Sequence, residues 1–321
     1  MDYFWLILGF VVLILGGDFL VKGSVGIAVK AQISKLVIGM TVVSFGTSSP
    51  ELLVSMGAAL EGGEESYMSI GNIIGSNIAN IALVLGITAL IYPLKVQKES
   101  IKQDWPVMFF STILFVVFMR FFDGDEYAIN SWEGIILFIL IIVFTIYMVR
   151  KSRKKTKNRV LENKHEANTD QNMPPLWRNI FFLGLGCLGL VFGSKWLLEA
   201  ATNIASDAGV SAFVIGVTVL AFGTSVPELA ASAIAAYRKQ TDIAIGNLIG
   251  SNIFNILCVV GLTGSVATMP LRKNVLVFDS WWMLGIAFVV FPLMLIGRNI
   301  NRWKGALLVL AYFYYIYRSL F

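Results

Sequence analysis

Charge is scarce in this chain. Only 14% of its 321 residues are Asp, Glu, Lys or Arg, while 57% are hydrophobic, and the mean hydropathy is +0.75. A soluble domain carries about 25% charged residues, so that class is excluded. Histidine is nearly missing: His165 stands alone, in a polar stretch. A histidine zinc site or a Ser–His triad therefore has no material, and intramembrane enzyme chemistry of that kind is excluded. The two cysteines, Cys187 and Cys258, lie in apolar runs without metal-ligand spacing and read as small apolar side chains. The net charge of +5 does not point to nucleic acid, because the positive residues sit mainly in short loops between apolar runs.

What is abundant is the long apolar run. About 20 apolar residues cross a bilayer as a helix, and ten such stretches can be read: 3–21, 36–60, 69–91, 105–121, 133–149, 178–201, 211–236, 243–268, 278–296 and 303–320. The first resembles a signal-peptide core but has no basic start, so a retained helix is expected. Of the 25 lysines and arginines, twenty fall on one set of alternate connections. Four (Arg120, Arg272, Lys273 and Arg318) fall on the other, and Lys195 lies inside a span. The side rich in positive charge is expected to be cytoplasmic, placing both termini outside. Residues 150–177 are charged and lack apolar periodicity, which predicts a flexible cytoplasmic linker between halves 1–149 and 178–321.

The chain also repeats itself. LVIGMTVVSFGTSSPELLVSMGAAL at 36–60 and FVIGVTVLAFGTSVPELAASAIAAY at 213–237 are identical at 15 of 25 positions with an offset of 177. SIGNIIGSNIANIALVLG at 69–86 and AIGNLIGSNIFNILCVVG at 244–261 agree at 12 of 18 with an offset of 175. Five spans per half is odd, so the second half must enter the membrane upside down. The expected fold is an all-α membrane protein of ten transmembrane helices, built as two inverted five-helix repeats.

Each repeat puts an acid, Glu51 or Glu228, inside an apolar segment, where a carboxylate is costly and marks a functional site. Gly46-Thr47-Ser48-Ser49-Pro50-Glu51 and Gly223-Thr224-Ser225-Val226-Pro227-Glu228 should break their helices near mid-membrane. Irregular backbone at that depth survives where it lines a cavity or is buried in protein. Carbonyls near Thr47 and Thr224 can then face a cation. Two bidentate glutamates and two carbonyls offer six oxygens, enough for Ca²⁺, which takes 6–8. Two such carboxylates demand a divalent cation, or protons in its place. In the second motif, Ser76 with Asn80 and Ser251 with Asn255 share helix faces and present neutral oxygens suited to Na⁺. Gly71 with Gly75 and Gly246 with Gly250 form GxxxG, which allows close helix approach. Asn72, Asn77, Asn247 and Asn252 are equally suited to packing and to ion contact. Asp18 and Lys195 occupy matching places in the first span of each half and suit a structural role. Glu61, Glu64 and Glu65 read as a solvated acidic turn.

The duplicated GTSxPE and GxxxGSNxxN signatures resemble the repeats of the calcium/cation antiporter superfamily, nearest its prokaryotic sodium/calcium exchanger branch. The resemblance covers both repeats residue by residue and, through the ten spans, nearly the whole chain. It implies alternating access, with the first and sixth helices sliding across a central site. It implies Glu51 and Glu228 as ligands shared by Ca²⁺ and Na⁺, with Thr47 and Thr224 giving carbonyls to Ca²⁺. Ser48, Ser225, Ser76 and Ser251 would bind Na⁺, and Asn80 and Asn255 would stand between the glutamates. Asn255 replaces the Asp of potassium-dependent relatives, which argues against a K⁺ requirement. Ser44 stands where the family often has Ala, a pattern Ala221 keeps. The expectation is thus a multi-pass cell-membrane monomer that exchanges Na⁺ for Ca²⁺ without a cofactor. Its partners are Ca²⁺, Na⁺ and the lipid bilayer, with H⁺ in place of Na⁺ as the alternative. A cation channel is a further alternative, disfavoured by the inverted repeat and the closed two-glutamate site.

Overall fold

The computed structural model describes residues 1–121, 127–162, 174–210 and 223–320. His165 and the first half of the expected span 211–236 lie outside them. The described chain is almost entirely helical. In order the helices are α1 (Asp2–Lys30), α2 (Lys35–Thr47), α3 (Ser49–Glu61), α4 (Gly63–Ile91), α5 (Ser100–Arg120), α6 (Ser131–Glu162), α7 (Leu176–Asp207), α8 (Val226–Tyr237), α9 (Thr241–Val266), α10 (Val275–Arg298) and α11 (Arg302–Leu320). Seven are long and apolar enough to cross a membrane, and the bent pair α2–α3 makes an eighth. α11 is 19 residues long but less apolar, and α8 has 12 residues. Two expected boundaries move. α1 runs on to Lys30, well past residue 21. The helix expected to stop at 149 continues to Glu162, so the first part of the predicted flexible linker is helical. Lysines and arginines are good helix formers, and a long apolar helix already nucleated needs no apolar face to extend into water.

Buried and exposed residues are arranged as a bilayer requires. The apolar windows of α4 and α9 are 83% and 100% buried, against 22–33% for α1, α6 and α7. The two helices of the second repeat motif therefore form the centre. Large apolar side chains such as Phe10, Phe110, Val143, Phe181, Leu310 and Phe313 point outward, where lipid would cover them.

The helices meet where side chains are small. A Cβ built on Gly9 would lie 2.7 Å from the Leu197 nitrogen, one on Gly16 2.8 Å from the Leu190 nitrogen, and one on Gly23 2.6 Å from the Leu183 nitrogen. Rising numbers in α1 meet falling numbers in α7, so the two helices are antiparallel and nearly in backbone contact. The halves also interlock. β1 (Leu94–Lys95) pairs antiparallel with β4 (Asn299–Ile300), and β2 (Ala128–Ile129) pairs with β3 (Met269–Pro270). α11 packs on α4 of the first half, and α6 packs on α9 of the second.

Lys304, counted among the connection charges although it opens the expected span 303–320, is 1% exposed. Its ammonium donates to the carbonyls of Leu293 (2.9 Å), Asn299 (2.7 Å) and Ile296, closing the end of α10. These carbonyls are orphaned by the helix end, so a cation there satisfies them. Lys304→Met should cost about 2–3 kcal/mol and lower the melting temperature in detergent by several degrees. An unchanged melting curve would mean the carbonyls find other donors.

Candidate cation site

Both GTSxPE turns leave helical geometry, and in the same way. Ser48 joins α2 to α3 with φ −90° and ψ 7°, and Ser225 precedes α8 with φ −88° and ψ 3°. The limbs α2 and α3 are bent by 45°. Pro50 and Pro227 sit in the first turn of the following helix, where a missing N–H costs nothing to that helix. They offer no donor to the carbonyls of Gly46 and Gly223 four residues back, so polar backbone is left beside the break. Glu51 and Glu228 follow at once, in the first turns of α3 and α8. There the positive end of each helix faces a carboxylate.

Both glutamates are fully buried. Ser48 Oγ donates to Glu228 Oε1 at 2.8 Å, reaching from one half to the other. Ser76 Oγ donates to Glu51 Oε1 at 3.0 Å. Ser76 also lies 3.5 Å from Ser225 Oγ and accepts from Asn255 Nδ2 at 3.2 Å. Thr47 Oγ1 is 3.4 Å from Ser251 Oγ and donates to Asn247 Oδ1 at 3.2 Å. Eight of the ten expected residues, with Asn247, therefore share buried contacts that cross between the two halves, in groups around each glutamate.

The remaining polar atoms define what the site wants. Among the described residues, Glu51 Oε2, Glu228 Oε2, Asn80 Oδ1 and Asn255 Oδ1 are buried without a hydrogen-bond partner. Buried polar atoms are nearly always satisfied, so four orphaned acceptors in one region need an explanation. All four are hard oxygens, two of them on carboxylates, a donor set that fits Ca²⁺ or Na⁺ and not a soft metal. Asn80 and Asn255 each begin a π-helical stretch, 80–84 and 255–260. Such stretches concentrate at functional sites.

Of the expected residues, Thr224 is the outlier. It is half-buried in a turn and shares none of these contacts, whereas Thr47 is buried at the end of α2. Of the four asparagines without an assigned role, Asn72 donates to Ser55 at 3.0 Å and Asn252 to the Leu248 carbonyl at 2.8 Å, both packing bonds. Asn247 bonds Ser232 at 3.0 Å as well as Thr47, and Asn77 Oδ1 accepts from Asn255 at 3.4 Å. These two belong to the site's supporting shell. The signal in sequence was their duplication beside Ser76 and Ser251.

Known proteins resemble this chain over nearly its whole length. The family model described as "Sodium/calcium exchanger protein" matches residues 1–150 and 178–321. The putative antiporter CaxA of Alkalimonas amylolytica is 35% identical over 98% of this chain and 97% of its own length. The sodium/calcium exchanger MaX1 of Methanosarcina acetivorans is 32% identical over 97% and 96%. The structure of the sodium–calcium exchanger NCX_Mj soaked with zero Na⁺ and Ca²⁺ superposes with a TM-score of 0.82 at 31% identity, covering 98% of this chain and 97% of that one. With both motifs, the buried oxygen network and these full-length likenesses in agreement, the chain belongs to the sodium/calcium exchanger protein family.

Proposed function

We propose that this membrane protein is a secondary antiporter that exchanges Na⁺ for Ca²⁺ by alternating access, with Glu51 and Glu228 forming one shared cation site. The carrying observation is the pair of fully buried glutamates, each with an unpartnered Oε2 and each held by a serine, together with the unpartnered buried Oδ1 atoms of Asn80 and Asn255. Two carboxylates balance one divalent ion, and the same oxygens serve Na⁺ when Ca²⁺ leaves. Ser48, Ser76, Ser225 and Ser251 supply neutral Na⁺ ligands, and the Thr47 and Thr224 carbonyls complete Ca²⁺ coordination. Asn80 and Asn255 stand between the glutamates. The family is one of transporters rather than enzymes.

The architecture that goes with this reading is ten transmembrane helices in two inverted five-helix repeats, 1–149 and 178–321. The expected span 211–236, of which α8 is the described end, and the less apolar α11 complete the count. Inversion is supported by the antiparallel contact of α1 with α7, which head the two halves. It is also supported by the two strand pairs, which exchange when the halves are swapped. Both termini lie outside, and the 150–177 connection is cytoplasmic.

The test is flux in proteoliposomes loaded with radiolabelled Ca²⁺, with Na⁺, K⁺ and proton gradients imposed separately. Saturable Ca²⁺ movement driven by Na⁺ is expected. Ca²⁺ movement that ignores Na⁺ and follows protons would replace this reading with H⁺/Ca²⁺ exchange, and non-saturating flux without any gradient would indicate a channel. Ser76→Ala should separate the two ions. It removes a neutral ligand and the hydroxyl bonded to Glu51, so the Na⁺ concentration for half-maximal exchange should rise about tenfold, the worth of one such bond. A variant with unchanged Na⁺ dependence would remove Ser76 from the Na⁺ path.

A further inference from the structure

α1 and α7 form a pair that leans to one side. Both pack against α8, the limb that follows the break in the second half, while neither packs comparably against α3, the matching limb of the first. At the end of that contact Asp18 of α1 pairs with Arg238, the residue that ends α8, and with Lys22 at 2.7 Å. Asp18 is largely sheltered, its side chain 18% exposed. The repeat offset of 177 carries position 18 to 195 and position 61 to 238. At those mates the signs are exchanged: Lys195 stands on α7 and Glu61 ends α3. Among the described residues, Lys195 has only an exposed partner on its own helix, Glu199 at 3.8 Å with both side chains more than 60% exposed, and Glu61 forms no salt bridge and lies beside Glu65.

An inverted repeat generates its second state by exchanging the conformations of its halves. A contact between α1 and α8 in one state then requires one between α7 and α3 in the other. We propose that Lys195 and Glu61 form an ion pair in that opposite state, while Asp18 and Arg238 separate. Each side of the transporter is thereby latched by one ion pair, and the balance between the two sets the ratio of the states. The inference rests on the alternating-access reading. It makes these four residues positioning residues of the cycle, none of them touching the transported ion. Within a chain only 14% charged, complementary charge at both related pairs is the pattern such a latch requires.

Charge reversal and cross-linking test it together. Lys195→Glu or Glu61→Lys alone should change the exchange rate roughly two- to five-fold, the range for one exposed pair, and the double reversal should restore it. Equal effects in singles and double would overturn the pair. Cross-linking supplies the second readout, in proteoliposomes of protein whose two native cysteines are replaced. Glu61→Cys with Lys195→Cys should cross-link during exchange, arrest flux, and recover on reduction; Asp18→Cys with Arg238→Cys should do the same. If the 18/238 link arrests flux but the 61/195 pair never links, this proposal falls and alternating access stands. If neither link affects flux, the α1–α7 pair does not move in transport and both fall.

Discussion

Glu51→Gln and Glu228→Gln should each lower Na⁺-driven Ca²⁺ flux by at least about 100-fold while leaving the protein folded. Each glutamate is fully buried and bonded through one oxygen to a serine, with its second oxygen unpartnered. The amide keeps the shape and one acceptor but removes half the charge that balances a divalent ion. Removing one partner from a buried charge pair costs about 3–5 kcal/mol, or about two to four decades in binding. The comparison variant is Glu64→Gln, whose partner Arg272 is at the surface and also lies over the Tyr67 ring. An exposed pair is worth about 1 kcal/mol at most, so its flux should stay within several-fold of the parent. Flux measured on equal amounts of monodisperse protein decides it. Parent-like flux in either central variant would mean that the two glutamates do not act as one site.

The second large effect is on folding. Gly250→Ala should lower the melting temperature by roughly 5 °C and abolish flux, because overpacking that moves backbone costs about 3 kcal/mol. A Cβ there would lie 2.3 Å from Ser44 Oγ, 2.5 Å from Met40 Cα and 2.7 Å from the Met40 carbonyl oxygen. Ser44 is itself held to the Asn247 carbonyl at 3.1 Å and to Gly39 at 2.8 Å, so it has nowhere to turn. Adding Ser44→Ala should recover only part of the loss, since the Met40 backbone stays in the way. A full recovery would show that the serine hydroxyl, and not the close approach of α2 to α9, makes glycine necessary at 250.

That glycine shows how much of the fold was legible in the residues. GxxxG announced a close approach in both halves; Gly246 and Gly250 make one, a built Cβ meeting a neighbour at 2.5 Å or less, whereas a Cβ on Gly71 or Gly75 meets nothing within 4 Å, so the first copy does not seat a helix. Which helix they approach depends on long-range assembly and is not written in the motif. The breaks before Glu51 and Glu228 were readable because proline acts locally. The ends of α1 and α6 were missed because apolar runs mark the bilayer, and a helix does not have to stop at its surface. Asp18 and Lys195 matched in sequence but do not meet; Asp18 instead finds Arg238, some 220 residues away in the chain. Lys304 was counted as a loop charge, since nothing in its neighbours reveals that the α10 carbonyls converge on it. The site residues were found through duplication. Asn77 and Asn247 needed the structure because asparagine serves packing and coordination equally well.

The central claim is that two halves make one cation site used in turn by both ions. Equilibrium binding of radiolabelled Ca²⁺ to the purified protein, titrated with Na⁺, tests it most directly. The account predicts about one Ca²⁺ per chain, displaced completely and competitively by Na⁺, and lost in both Glu51→Gln and Glu228→Gln. Two independent Ca²⁺ per chain, or Ca²⁺ that stays bound as Na⁺ saturates, would contradict it.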